Sequence, residues 1–196
     1  MPIKFRNKYR IASARLSTWD YASNGSYFVT ICTAHREHFF GEVVNSQMQF
    51  SQIGERANKC WRAIPDHFSY FKLDEFSVMP NHLHGIIIIE KPCGNHRGGF
   101  NAVETGHALS LQPNAGESPK NPNHRRFRNQ GKKTMSSMVG SFKSAVTKYC
   151  NENNLTFGWQ SRFHDHIIRN EDEFYAIRNY IINNPRNWKE DKFYSR

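Results

Sequence analysis

Met79-Pro80-Asn81-His82-Leu83-His84-Gly85-Ile86-Ile87-Ile88-Ile89 decides how this 196-residue chain folds. The apolar, β-branched run at its end reads as a buried strand over 83–90, and segment 71–79 reads as another, with the turn former Pro80-Asn81 between them. Side chains two apart on a strand share a face, so His82 and His84 project together while Leu83 points away. Two adjacent imidazoles can hold one divalent cation if a third ligand arrives from elsewhere in the chain. Ten histidines in 196 residues produce about half a His-x-His pair by chance, and a second pair does occur, His164-Asp165-His166. Context separates the two. The first pair encloses a hydrophobe and runs into a core strand; the second encloses an aspartate, as on an edge strand near phosphate.

Upstream, Asn24-Gly25 signals a turn and Ser26 to Thr33 reads as a strand. A further strand is expected at 42–50. Ser51 then precedes Ile53, Ala57, Cys60, Trp61 and Ile64, a helical spacing that Pro65 stops. Downstream, Pro92 to Lys133 is rich in Gly, Pro, Asn, His and Arg with no period, and reads as a mobile insertion at about 92–133. Met135, Met138, Val139, Phe142, Ala145, Val146 and Tyr149 describe an amphipathic helix of about four turns. Phe163 to Arg169 reads as the last strand. Asn170 with Glu173 opens a final helix carrying Phe174, Ile177 and Ile181, which Pro185 ends. The expected organisation is a basic N-terminal arm (1–25), one interrupted domain (26–188) and a C-terminal tail (189–196). Its class is α+β, an antiparallel sheet covered by helices.

Composition narrows the function. Hydrophobic residues make up 38% and aromatics 14%, enough for a sizeable core, while 27 Lys+Arg against 17 Asp+Glu give a formal charge of +10. Such a balance points to a polyanion, nucleic acid first. Arg6, Lys8, Arg10, Arg15 and Trp19 in the N-terminal arm combine cations with an aromatic ring, a pattern that suits DNA binding by an arm lying on phosphates and equally a solvated tail. The longest apolar run, Ile86 to Ile89, cannot span a bilayer, and the first residues lack the apolar stretch of a signal peptide, so no membrane and a cytoplasmic location are expected. Cys32, Cys60, Cys93 and Cys150 form no Cys-x-x-Cys pair, which argues against a zinc knuckle or disulfide framework. Neither a phosphate-binding glycine loop nor a serine nucleophile elbow is present.

The last helix offers a complement to the histidines. Tyr180 and Asn184 stand four residues apart on one face, to the side of the Phe174, Ile177 and Ile181 stripe. An asparagine supplies a carbonyl oxygen to a cation, and a tyrosine one turn earlier can attack a phosphodiester beside it. From spacing alone a core tyrosine and a capping asparagine before proline is the better reading, and Tyr175 competes as nucleophile.

Pro80-Asn81-His82-Leu83-His84, Trp159-Gln160 before a strand, and Tyr180-Ile181-Ile182-Asn183-Asn184-Pro185 together resemble the signature of single-tyrosine HUH transposases, in particular the REP-associated tyrosine transposases. Tyr9-Arg10-Ile11, Arg15-Leu16, Trp19-Asp20-Tyr21 and Tyr27-Phe28-Val29-Thr30-Ile31 are similar to the same branch, so the resemblance covers roughly 9–90 and 134–188. It implies a ferredoxin-like sandwich. His82, His84 and Asn184 would hold Mg²⁺ or Mn²⁺, and Tyr180 would cleave single-stranded hairpin DNA through a 5′-phosphotyrosine. Relatives often carry Gln where this chain has Asn184, and they include both monomers and homodimers. The alternative is a non-catalytic nucleic-acid-binding regulator that keeps the fold. A larger replication nuclease of the same superclass, or a zinc hydrolase using His82 and His84, fits less well; the hydrolase lacks an evident general base.

Overall fold

The computed structural model describes residues 23–92 and 134–194, preceded by two short paired strands, β1 (Lys4–Phe5) and β2 (Lys8–Tyr9). The main elements follow in the order β3 (Gly25–Cys32), β4 (Gly41–Val44), β5 (Gln47–Phe50), α1 (Gln52–Arg62), α2 (Ile64–His67), β6 (Phe71–Met79), β7 (His82–Ile89), α3 (Met135–Glu152), β8 (His164–Ile168) and α4 (Glu171–Asn183). Four strands form one antiparallel sheet in the order β6-β7-β3-β8. With α1 and α3 as the connections, β3-α1-β6-β7-α3-β8 is the β-α-β-β-α-β chain order of the ferredoxin-like sandwich. The expected α+β class therefore holds. The expected insertion falls almost wholly outside the described residues.

Two local expectations are corrected. The strand anticipated at 42–50 is a tight hairpin, because Asn45 and Ser46 both adopt positive φ (50° and 62°) and fold β4 back onto β5. Pro65 interrupts α1 but does not end helical structure; it sits in the first turn of α2, where its missing N–H costs nothing. The predicted caps are present. Ser51 Oγ accepts from Gly54 N at 3.1 Å, and Asn170 Oδ1 accepts from Glu173 N at 2.8 Å.

Strand alternation gives the sheet two faces. Tyr27, Val29, Ile31, Leu83 and Ile87 point to one side and join Trp61 of α1 and Met138, Phe142 and Val146 of α3 in the principal core. Trp61 lies so close that a Cβ on Gly85 would stand 2.7 Å from its ring, so β7 needs glycine beside His84. The other side carries Ile86 and Ile168, against which Ile181, Phe174 and Ile177 of α4 pack. A register shift in β6 between Leu73 and Phe76 frees Asp74 and Glu75 to receive Arg178 of α4, at 2.8 and 3.0 Å. Past α4, a 3₁₀ turn at Trp188–Glu190 brings Trp188 and Phe193 onto Cys32 and Met79. Together α4 and this C-terminal segment cover the two histidines of the sheet face.

Candidate active site

The register places His82 opposite Cys32 and Met79, and His84 opposite Thr30 and Ser77. Both imidazoles are fully buried, 4.3 Å apart between ring centroids. Each is oriented by a neighbour that the sequence did not single out. Asn81 Oδ1, an acceptor, lies 2.8 Å from His82 Nδ1, so that nitrogen carries the proton and Nε2 keeps its lone pair. Asn81 is itself fixed, donating from Nδ2 to the Phe193 carbonyl at 2.8 Å. His84 Nδ1 lies 2.8 Å from the Thr30 hydroxyl, which can accept or donate and so suits either tautomer.

Helix α4 delivers Tyr180, 41% exposed, with its hydroxyl 3.1 Å from His84 Nε2. That hydroxyl donates to Asp191 Oδ2 at 2.8 Å, and Asn184 Nδ2 donates to the same oxygen at 2.6 Å. Since Nδ2 is committed to Asp191, Asn184 turns its Oδ1 elsewhere. Asp191 Oδ1 accepts from the Phe193 backbone N–H at 2.7 Å. Asp191 thus ties α4 to the C-terminal segment. His82, His84 and Asp191 offer ligand atoms that all lie within 4.8 Å of one another.

The surroundings keep both imidazoles neutral. Burial holds the His82 imidazole down to about 3, with Lys192 and Arg36 adding to the effect. His84 is also held well below its usual range, by burial first and then by His82. Both rings are therefore neutral at pH 7, the form that binds cations. His82 Nε2 and Asn184 Oδ1 are buried with no hydrogen-bond partner. An orphaned buried acceptor is costly, and two of them on the anticipated ligand residues fit a divalent cation. Burial, followed by the hydrogen bond to Asp191 and its charge, raises the Tyr180 phenol.

The structure therefore brings together His82, His84, Tyr180 and Asn184, which the sequence singled out, and adds Asp191, Asn81 and Thr30. Asp191 lies in a segment read only as a tail, and no motif marks it. Tyr175 stands 58% exposed against Phe174. Trp159 and Gln160 have a structural position: Trp159 bridges to Thr33 and packs among Phe40, Phe142 and Phe157, while Gln160 N donates to the Cys32 carbonyl at 3.0 Å. Of the expected DNA contacts, Lys8 falls in β2, and Arg6, Arg10, Arg15 and Trp19 lie outside the described residues. Among the described residues no helix is long and apolar enough to cross a membrane.

No family model matches the chain. A solved structure of a REP-associated tyrosine transposase bound to a REP hairpin superposes with a TM-score of 0.56 at 17% identity, over 93% of this chain and 77% of that one. A protein of Haemophilus influenzae described as uncharacterized is 38% identical over 184 residues, 93% of this chain and 92% of its own length. The chain belongs to one family with that Haemophilus influenzae protein, and it has the fold of the REP-associated tyrosine transposase.

Proposed function

We propose that the protein is a metal-dependent transposase that cleaves and rejoins single-stranded hairpin DNA, with Tyr180 as nucleophile. One observation carries this reading: the Tyr180 hydroxyl stands 3.1 Å from His84 Nε2, at the place where His82 Nε2 and Asn184 Oδ1 are buried without partners. The fold shared with a hairpin-bound transposase supports it. His82, His84 and Asn184 would hold Mg²⁺ or Mn²⁺, with Asp191 as an added carboxylate, and the mixed nitrogen and oxygen set suits a metal that keeps open positions. When bound, the cation would polarise a phosphoryl oxygen and balance its charge in the transition state.

The chain's own residues supply the rest. The raised Tyr180 phenol is neutral at pH 7, so attack requires a proton acceptor, and Asp191 Oδ2 already accepts that proton's hydrogen bond at 2.8 Å. As Tyr180 Oη bonds to phosphorus, the proton passes to Asp191 and the bond from phosphorus to O3′ breaks. The leaving O3′ takes up a proton from solvent water, giving a 5′-phosphotyrosine and a free 3′-hydroxyl. Attack of a 3′-hydroxyl on the phosphotyrosine reverses these transfers and restores the phenol, so the strand is rejoined without ATP.

Incubating the protein with hairpin oligonucleotides from the DNA flanking its gene, with Mg²⁺ or Mn²⁺, should give a denaturant-resistant protein–DNA adduct. Chelator and Tyr180→Phe should each abolish it. An adduct that survives Tyr180→Phe would move the nucleophile to another residue, Tyr175 first. Tight binding without adduct under either metal would favour the non-catalytic regulator.

A further inference from the structure

Beside the Tyr180–His84 pair lies a groove of about 400 Å³, within the size range of ligand pockets, roughly 300–1,000 Å³. Sheet register builds one wall: Phe28 pairs with His166 and Thr30 with His164, which sets the second histidine pair on the same face as His84. Asp165 also borders the groove, but alternation sends its side chain to the opposite face. Arg36 and Lys192 form the other wall, and buried Phe193 lies beneath both, 5.2 Å from the Arg36 guanidinium and 4.9 Å from the Lys192 ammonium. Arg36 is held there by two successive non-glycine residues at positive φ, His35 (53°) and Arg36 (60°), a conformation that costs free energy. Half-buried Phe28 stacks on His84 with centroids 5.1 Å apart and meets Tyr180 edge-on at 6.2 Å.

We propose that this groove seats the nucleotide next to the phosphate that Tyr180 attacks, with its base against Phe28 and its phosphate between Arg36 and Lys192. The proposal rests on Tyr180 as the nucleophile. An aromatic surface beside two cations is the combination that binds single-stranded nucleic acid: bases stack on the ring while guanidinium and ammonium neutralise the backbone. His166 is already held by Glu173, at 2.6 Å, and closes the end of the groove; exposed His164 adds a ring that can donate to a base edge or a phosphate. Phe28 touches both the nucleophile and a metal-site imidazole, so a base seated on it fixes the scissile phosphate relative to Tyr180.

The test is an abasic walk. The full chain is titrated, with chelator present so that no cleavage occurs, against a labelled hairpin whose single-stranded arm carries one abasic residue at each position in turn. Affinity should fall about tenfold at one arm position and stay near that of the intact arm elsewhere, and Phe28→Leu should erase that local penalty. Lys192→Ala keeps the test valid if the Phe28 variant folds poorly: its plot of log affinity against log salt should lose about 0.7 in slope, as expected for one phosphate contact to a single strand. A flat walk, or a local penalty and salt slope unchanged in both variants, overturns the proposal. The adduct assay on the unmodified protein separates the two readings. Adduct with a flat walk leaves Tyr180 as nucleophile and removes the subsite. A sharp walk without adduct removes the catalytic role and leaves the groove as a binding site for single strands. Neither adduct nor binding removes both.

Discussion

Strand β7 presents Leu83 and Ile87 to one side of the sheet and His82 and His84 to the other, and all four side chains are fully buried. On the first side they join the apolar cluster built with α1 and α3, and the hydrophobic effect accounts for most of that packing. On the second, burial puts strain on polar groups: each imidazole is held neutral, one ring nitrogen is used by Asn81 or Thr30, and His82 Nε2 is left without a partner. On the proposed function, the first face makes the fold and the second carries the chemistry. Equal burial on the two faces carries opposite consequences for substitution.

The sharpest way to break that comparison is to truncate neighbours on opposite faces. Leu83→Ala should cost about 2–5 kcal/mol of stability, the usual range for a buried leucine, while the folded fraction keeps its adduct-forming rate. His84→Gln should do the reverse. Loss of groups that merely orient a ligand costs up to about 100-fold, so loss of the ligand itself should exceed that in adduct rate, with a far smaller effect on the denaturant midpoint. Similar stability losses in both variants would mean that His84 is ordinary core.

Gly85 tests the same boundary from the backbone. Its added Cβ would stand 2.7 Å from the Trp61 ring and 3.2 Å from Phe76 Cβ, and Trp61 is fully buried, so neither neighbour can move freely. Gly85→Ala should cost about 1–3 kcal/mol, typical of overpacking, visible as a lower denaturant midpoint.

The imidazole face also predicts a pH dependence that the apolar face lacks. In the unfolded chain His82 takes up a proton as pH falls through its ordinary 6.5, whereas the folded ring resists down to about 3. Over that window the unfolded state binds more protons, so stability is full above the upper value and is lost as pH falls towards the lower one. One such histidine contributes a slope of at most about 1.4 kcal/mol per pH unit. His84 acts in the same direction. Chemical denaturation of metal-free protein at several pH values between 7 and 5 should show the slope, and His82→Gln should flatten it. An unchanged slope would show that the ring is already protonated or exposed.

The elements themselves were legible in the sequence because period and burial coincide: the Ile86 to Ile89 run, the Met135 to Tyr149 stripe and the asparagine and serine caps became the expected strand and helices. The strand at 42–50 was misread because a reversal through two left-handed residues leaves no break in β-type composition. On the histidine face, His82, His84, Tyr180 and Asn184 were singled out through spacing and family resemblance, and they lie together in the structure. Asp191 was not, since one carboxylate in a polar terminal segment has no periodicity, and only the 3₁₀ turn at Trp188–Glu190 brings it to Tyr180. Asn81 stood inside the deciding stretch, yet its role as the acceptor for His82 Nδ1 is a matter of side-chain geometry.

The smallest expected effect concerns how α4 is held over the site face. Arg178 forks onto Asp74 and Glu75 at 2.8 and 3.0 Å, all three side chains being partly exposed, so solvent screening leaves each ion pair with little weight in stability. Ile181, Phe174 and Ile177 anchor the same helix through apolar contact, and Arg178→Ala should therefore leave the denaturant midpoint nearly unchanged. Its consequence is positional. Tyr180 is two residues further on, and its hydroxyl must lie within reach of His84 and Asp191 at once. A fork that fixes the rotation of α4 over the bulge in β6 sets that reach, so the adduct rate at saturating DNA should fall several-fold in Arg178→Ala with DNA affinity unchanged. Arg178→Lys, which keeps the charge but not the planar fork, should fall between the two. An equal rate in all three proteins would assign the orientation of α4 to its apolar stripe alone, and the two faces of the sheet would then differ only in the residues around the histidines.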